Sequence, residues 1–254
     1  MNMPKAIEQS SFQQLKQCQM ELIREGCTSV ITYAKTEYER QIATSLKIKK
    51  HLMINSTLDY LIGLTIPLSL LRPTVIRECK RQKIPILEVK IDSLDALRLV
   101  PWDHISQMMV TYPVVLVPRL ETDDKKIAKQ IVNLWTFYCI QYRIQTEDSP
   151  GNSSWSKEAL QKIGLYPKKG DLLVSSDFDY QLYLHKQTEE NKAFFLDENK
   201  KLDYDKREPE IVALRDRIIK VNQKIDFNPG YGRQLVISTP KRFLTIDAAG
   251  KAIY

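Results

Sequence analysis

Four apolar, β-branched stretches alternate with stretches whose apolar residues repeat at helical spacing, and this alternation constrains the fold of the chain most. An alternation of this kind favours a parallel sheet whose strands are joined by right-handed crossovers. The predicted strands are Cys27–Ala34, Leu58–Ile66, Ile84–Ile91 and Tyr112–Val117. The predicted helices are Phe12–Arg24, Glu37–Lys50, Pro73–Lys83, Trp102–Met108 and a long helix from Asp123 to about Arg143.

The second part of the chain has a different composition. Thr146–Ser154 (TEDSPGNSS) is typical of a linker, and Trp155–Ile163 is a short predicted helix. We therefore predict two domains, a βα domain at 1–150, which the family resemblance described below implies to be a partial barrel, and a terminal helix with a β-rich domain at 151–254. Lys186–Glu210 is charged and predicts a loop. The strand-rich segments are Asp171–Val174, Tyr180–His185, Ile211–Val221 and Gln234–Ile237.

One run, Ile163–Leu184, is more specific than the rest and reads IGLYPKKGDLLVSSDFDYQLYL. It resembles the point at which the amidohydrolase superfamily, in its dihydroorotase-like and hydantoinase-like members, leaves its barrel and enters a small β-sandwich. That passage is usually written G-L-x-P-x-K-G-x-I-x-x-G-S-D-A-D-L-V-L. By this resemblance, Lys169-Gly170 turns the chain into a strand and Ser175–Asp179 forms a polar corner.

Other segments are similar to the same superfamily. Gly26–Ile31 resembles its second barrel strand, Leu58–Ile66 its third, and Lys83–Lys90 its fourth, where the family often carries a carboxylated lysine that bridges two metals. Val212–Gly232 resembles the strand pair that closes the sandwich. The resemblance implies an α/β fold: a reduced, half-barrel-like parallel βα sheet related to the amidohydrolase TIM barrel, followed by a small β-rich, sandwich-like domain.

The metal-binding residues of that superfamily are not matched. Its H-x-H motif occurs nowhere in the chain, whose histidines are His51, His104 and His185. The fifth-strand candidate, Pro113–Leu120, has no histidine, and the chain reaches the linker before strands six to eight could follow. A catalytic zinc needs about three converging protein ligands. We therefore expect a shortened relative with no metal site, no cofactor and no catalytic residues, in which Glu88 and Lys90 take part in ion pairs at a strand end.

Ligands of open α/β sheets bind at the carboxyl ends of the strands. The residues expected there, and predicted as ligand-binding, are Tyr33, Thr65, Glu88, Lys90 and Arg119. The favoured function is a noncatalytic amidohydrolase-like protein that binds a partner protein or an anionic small molecule. One alternative is a metal-dependent hydrolase of cyclic amide C–N bonds with a reduced metal site built around Glu88.

The other alternative, a basic nucleic-acid-binding protein, rests on a net charge of +7. Solvated helix faces and loop ends explain this charge more simply, and no zinc-finger, cold-shock or RRM-type pattern accompanies it. We therefore expect no nucleic-acid partner. The basic clusters are Lys47–Lys50, Arg77–Lys83, Lys168-Lys169 and Arg215–Lys220.

The compartment and the assembly follow from weaker signals. The N-terminus has no apolar core of the signal-peptide kind, and the cysteines form no C-x-x-C pair, so we expect a cytoplasmic protein with no membrane partner and reduced, structural thiols. An incomplete barrel exposes sheet edges, which proteins normally pair or cover. Together with the aromatic residues of the long helix, this predicts a homodimer or a partner protein. The aromatic residues are Trp135, Phe137, Tyr138 and Tyr142.

Overall fold

The computed structural model describes residues 12–151, 153–174, 176–183 and 208–240, and the backbone of two short strands at 245–246 and 252–253. Predicted features at 184–207, including His185 and most of the charged loop, lie outside the described residues. None of the described helices is long and apolar enough to cross a membrane.

A four-stranded parallel sheet forms the first half of the fold, as the alternation predicts. Its strands are β1 (Ser29–Lys35), β2 (Asp59–Pro67), β3 (Ile86–Ile91) and β4 (Val115–Leu120), in that spatial order. The helices that precede and join them are α1 (Phe12–Arg24), α2 (Ile42–Leu52), α3 (Pro73–Gln82), α4 (Leu94–Arg98), α5 (Trp102–Met109) and α6 (Lys125–Gln141). Single 3₁₀ turns at Glu39–Gln41 and Leu68–Leu70 precede α2 and α3.

Local chemistry fixes several of these boundaries. Asp124 caps α6, because its Oδ1 accepts hydrogen bonds from the backbone N–H groups of Lys126 and Ile127. Pro73 stands in the first turn of α3, where its missing N–H costs nothing. Ser93 caps α4, a five-residue helix that the sequence patterns did not predict because it is too short to show a periodicity.

The two faces of the parallel sheet pack against different layers. Alternate residues such as Leu64, Leu87 and Val89 join the core formed with the surrounding helices. The residues between them, such as Leu61 and Ile86, point to the inner face, which corresponds to a barrel interior. This inner face is covered by residues 155–165, which include α7 (Lys157–Ile163), and by residues 233–237. These two segments contribute Trp155, Ala159, Ile163, Leu165, Leu235 and Ile237.

Two backbone bridges extend the parallel sheet beyond its four strands. The N–H of Leu116 donates to the carbonyl of Gln145 at 2.9 Å, so the start of the predicted linker occupies a fifth strand position beside β4. Gln234 pairs with Tyr60 at the start of β2, at a point that β3 does not reach. The predicted strand Gln234–Ile237 is therefore wrong as a strand and forms a single bridge, because it borders only the short part of β2 that has β1 on one side and no β3 on the other.

A separate antiparallel sheet forms the second half and confirms the predicted fold class. Its strands are β5 (Tyr180–Leu182), β6 (Ile211–Leu214), β7 (Arg217–Val221) and β8 (Lys224–Ile225), in that order. The short strands β9 (Thr245–Ile246) and β10 (Ala252–Ile253) pair with each other. The division into domains at residue 150 stays a prediction.

The strand-rich segment Ile211–Val221 is a hairpin, in agreement with the strand pair expected over Val212–Gly232, because Arg215 and Asp216 both adopt positive φ and reverse the chain. One predicted strand of this half is wrong. Asp171–Val174 is not a strand. Its end closes into a turn in which Ser176 bonds to Leu173 through both its backbone N–H and its hydroxyl, a local bond that competes with strand pairing.

The antiparallel sheet is attached to α1. Lys220 donates from Nζ to the carbonyl of Arg24 at 2.6 Å, and Gln181 donates to the carbonyl of Gly26 at 2.6 Å. These two bonds satisfy carbonyls at the C-terminal end of α1. The prediction that Lys220 is a solvated cation is wrong, because it is almost fully buried under this sheet.

A buried charge cluster joins the two sheets, and we define it as Asp59, Lys169, Asp177, Asp179 and Arg215. The Lys169 ammonium lies 2.7 Å from Asp59, 2.9 Å from Asp177 and 2.7 Å from Asp179. Lys169 and Asp59 are both more than nine-tenths buried. The run that carries the family resemblance therefore supplies three members of the cluster, and the expected solvation of Lys169 is wrong.

The second oxygen of Asp59 completes the cluster. It accepts from the Arg215 guanidinium and, at 2.8 Å, from the N–H of Arg233. Burial alone would raise the pKa of Asp59 and lower that of Lys169, but their mutual attraction and the bonds to Arg215 and Asp179 reverse both effects. The pKa of Asp59 is lowered and that of Lys169 is raised. The stabilisation is therefore lost only as pH falls below about 4 or rises above about 10.

Replacing Lys169 with Met should destabilise the protein strongly, because buried carboxylates would then face each other without their cation. We expect a loss of about 3–5 kcal/mol in the free energy of unfolding, measured by urea denaturation at pH 7. Arg98→Met, which breaks the exposed pair with Asp95, is the matched control and should cost less than about 1 kcal/mol. Equal losses in the two variants would contradict the role given to the cluster.

Candidate functional site

The structure places all five predicted site residues on the inner face, toward the carboxyl ends of the strands. Thr65 lies beside Glu88, and Lys90 lies beside Arg119, in the register of neighbouring strands. Tyr33 lies beside Gly63 on β2. Side chains that are opposite each other in adjacent strands point to the same face. We call these five residues the inner-face site; ligand binding by them stays a prediction.

Glycine at position 63 allows Tyr33 to lie flat across the sheet. A Cβ at this position would come within 2.8 Å of two Tyr33 ring carbons and of the Ile86 side chain. Any other residue would have to push the ring away or move the strand. Gly63 was predicted to lie in a strand, but this role was not predicted, although a lone glycine inside an apolar strand can indicate a close approach of a neighbouring group.

The Tyr33 hydroxyl is the least satisfied polar group of the inner-face site. It is buried and makes no hydrogen bond to any residue that the structure describes. Burial, and to a smaller extent the negative charge of Glu88, raises the pKa of Tyr33 above that of a free phenol. The group is therefore a neutral donor at physiological pH.

Glu88 is buried and held from two sides. It accepts a hydrogen bond from the Thr65 hydroxyl at 2.8 Å, and the Arg119 Nη1 atom lies 3.5 Å from the same oxygen. That Nη1 atom is itself buried and has no aligned hydrogen bond to the described residues. The arrangement leaves two donors, the Tyr33 hydroxyl and the Arg119 guanidinium, beside one fixed carboxylate.

Lys90 lies at the rim of the inner-face site. Its ammonium is 3.3 Å from Glu37 and 3.8 Å from Glu121, which follow β1 and β4. Glu88 and Lys90 thus both take part in ion pairs at the strand ends, as expected, and each uses partners from neighbouring strands. The side chains of Lys90 and Arg119 are 21% and 28% exposed, so both cations remain accessible from solvent.

The other chemistry-bearing residues lie elsewhere. His51 ends α2 and His104 lies on α5, both exposed. Burial raises the pKa of the Cys18 and Cys27 thiols to about 11 and of the Cys79 and Cys139 thiols to about 12. Thiols with such pKa values are almost entirely protonated at neutral pH and are poor nucleophiles.

The inner-face site does not fit the bimetal centre that the family resemblance would suggest. Glu88, in the fourth-strand segment, accepts a hydrogen bond from Thr65 and lies beside the Arg119 guanidinium, neither of which is a metal ligand. No group of three His, Cys, Asp or Glu side chains in the described part of the chain is arranged to hold a metal ion.

Comparisons with known proteins give a fold and no closer relationship. No protein-family model matches the chain, and no curated protein matches it in sequence. A solved structure of D-hydantoinase matches it with a TM-score of 0.54 and 10% sequence identity, over 89% of this chain and 84% of that one. This similarity supports a hydantoinase-like fold in partial-barrel form. At this identity it says nothing about activity.

Replacing Tyr33 with Phe should leave the unliganded protein as stable as before or make it more stable by up to about 1–2 kcal/mol, because a buried hydroxyl without a partner is removed. The difference should grow above pH 10, where the unfolded phenol ionises and the buried one cannot. Urea denaturation at pH 7 and pH 11 measures both effects. Tyr38→Phe, at an exposed tyrosine, is the control; a Tyr33→Phe variant that is clearly less stable at pH 7 would show that the hydroxyl has a partner.

Proposed function

We propose that this protein is a noncatalytic, amidohydrolase-like protein that binds a small anionic molecule at the inner-face site. The observation that carries the proposal is the buried Tyr33 hydroxyl, which makes no hydrogen bond to the described residues and lies on the same face as Arg119. Leaving such a donor unsatisfied costs free energy. A ligand oxygen that accepts from it would recover that energy on binding.

The chemistry of the donors defines the ligand class. A neutral phenol and a guanidinium together suit a carboxylate or phosphate oxygen, since charge-assisted hydrogen bonds from arginine to such groups are strong. Lys90 offers a second cation at the rim, where Glu37 and Glu121 screen it until a ligand competes for it. The same two groups would donate hydrogen bonds to a carboxylate on a partner protein equally well.

The noncatalytic part of the proposal rests on the residues present. The H-x-H pair of the superfamily is nowhere in the sequence, and the buried carboxylate of the site is already engaged by Thr65 and Arg119. A carboxylate held in this way positions the Arg119 guanidinium. The role assigned to Glu88 is therefore to orient a binding residue.

Arg119→Met should weaken binding of an anionic ligand at least tenfold, because the bidentate donor is lost while the aliphatic part of the side chain is kept. We would screen carboxylates and phosphate esters by thermal shift and measure the best binder by titration calorimetry. Arg98→Met serves as the control and should not change the affinity. An affinity that is the same in the wild-type protein and in both the Arg119→Met and Lys90→Met variants would remove the assignment of the site.

Measurements on the same purified protein also test the two alternative functions, a metal-dependent hydrolase and a nucleic-acid-binding protein. Near-stoichiometric zinc or manganese in protein purified without a histidine tag, with turnover that Glu88→Ala abolishes, would establish the hydrolase instead. An affinity for mixed-sequence nucleic acid that falls steeply as the salt concentration rises would favour the hypothesis of a basic nucleic-acid-binding protein. We expect neither result.

A further inference from the structure

The antiparallel sheet presents an apolar surface on the side that faces away from α1. We call this surface the outer sheet face. Two cross-strand rows build it, Leu182 with Ile211 and Val221, and Tyr180 with Ala213 and Ile218. The Phe178 ring extends it, in an edge-to-face contact with Tyr180 at a centroid distance of 5.1 Å.

The opposite side of the same sheet is already in the core. Val212, Leu214 and Ile219 are buried in the cluster that includes residues of α1. A sheet with one face in the core and one in water normally alternates apolar and polar residues along each strand. Here the outward positions are apolar as well, so the sequence is patterned for a sheet that is covered on both sides.

Four large apolar side chains of the outer sheet face are nonetheless exposed in the described part of the chain, while the small Ala213 between them is buried. Phe178, Leu182, Ile218 and Val221 are each between 45% and 51% exposed. Contiguous exposed apolar surfaces of this kind mark interaction sites. The long helix α6, by contrast, buries Trp135 and stacks Tyr138 on Trp102. Its exposed large apolar side chains are Phe137, Ile140 and Ile127, of which Ile127 is the least exposed.

The charges at the ends of β7 indicate what covers the face. Asp216 is exposed in the turn before β7, where its N–H bonds to the carbonyl of Phe178. Lys224 is exposed beyond the other end of β7 and lies opposite Val221, so it points to the outer side. One acidic and one basic group therefore border opposite ends of one apolar surface.

We infer that a second copy of this chain packs on the outer sheet face and forms a homodimer. A two-fold axis in the plane of contact and perpendicular to β7 reverses the strand direction. It brings Asp216 of each copy over Lys224 of the other, and the two apolar faces over each other. An axis parallel to β7 would instead place like charges together. In the resulting dimer, the antiparallel sheets of the two copies form a two-sheet sandwich whose strand directions are approximately aligned.

Sedimentation equilibrium of the full chain tests the inference. The wild-type protein is expected to dimerise in the micromolar range, and the double variant Ile218→Glu/Val221→Glu to raise the dissociation constant on the order of 100-fold, because two charges enter the centre of the interface. Phe137→Glu, on α6, is the matched control and should leave the dimer unchanged. A wild-type protein that is monomeric at all concentrations, or a dimer that only Phe137→Glu dissociates, would overturn the inference.

Charge reversal provides a second test that does not touch the apolar residues. Asp216→Lys and Lys224→Glu should each raise the dissociation constant roughly three- to tenfold, since each creates two repulsive contacts across the two-fold axis. The combined variant Asp216→Lys/Lys224→Glu should return to the wild-type value, because the pairs are restored with exchanged signs. Additive weakening in the combined variant would contradict the proposed pairing. Circular dichroism of each variant confirms that the fold is retained.

Discussion

The ion pair between Lys169 and Asp59 is the interaction on which the rest of the structure depends. Asp59 begins β2, and Lys169 lies in the loop that leads into the antiparallel sheet. Removing such charges from water is costly, and the cost is offset only when every partner is in place. Because Asp177, Asp179, Arg215 and the N–H of Arg233 all converge on this pair, one arrangement of the two sheets satisfies the cluster.

This arrangement explains how a partial barrel can be stable. With the segment after the parallel sheet fixed to the start of β2, α7 and residues 233–237 lie against the inner face and bury the apolar side chains near the beginning of the strands. Of the polar residues nearer the strand ends, Lys90 and Arg119 keep partly exposed side chains. In complete barrels the amino-terminal ends of the strands serve stability and the carboxyl ends carry function, and the proposed binding at the inner-face site follows that division.

Much of the fold follows from patterns that act locally. The β-branched runs around Val30, Leu61 and Val89 gave the parallel strands, and the run containing Lys169 and Asp179 gave the transition to the antiparallel sheet. The partners of Lys169, Arg215 and Lys220 could not be predicted, since they lie far along the chain and a cation in a polar run normally faces solvent. The cover of the inner face was missed for the same reason.

In the candidate site, too, some features could be predicted from the sequence of one strand, whereas others depend on the neighbouring strands. The rule that ligands bind at the carboxyl ends of the strands selected Tyr33, Glu88 and Arg119, and the structure brings all three to one face. The flat position of Tyr33 over Gly63 depends on the cross-strand register, which a single strand's sequence does not contain. The pairing of Lys90 with Glu37 and Glu121 likewise depends on where neighbouring strands end.

Native-state hydrogen exchange of the wild-type protein and of Asp59→Asn would test most directly whether the buried charge cluster holds the two sheets together. We expect the amides of β2 and of β6 and β7 to lose protection together, and by a similar free energy, because the substitution weakens a cluster that both sheets share. Loss of protection confined to the antiparallel sheet, with β2 unchanged, would show that the parallel sheet is stable by itself and that the cluster does not govern the fold.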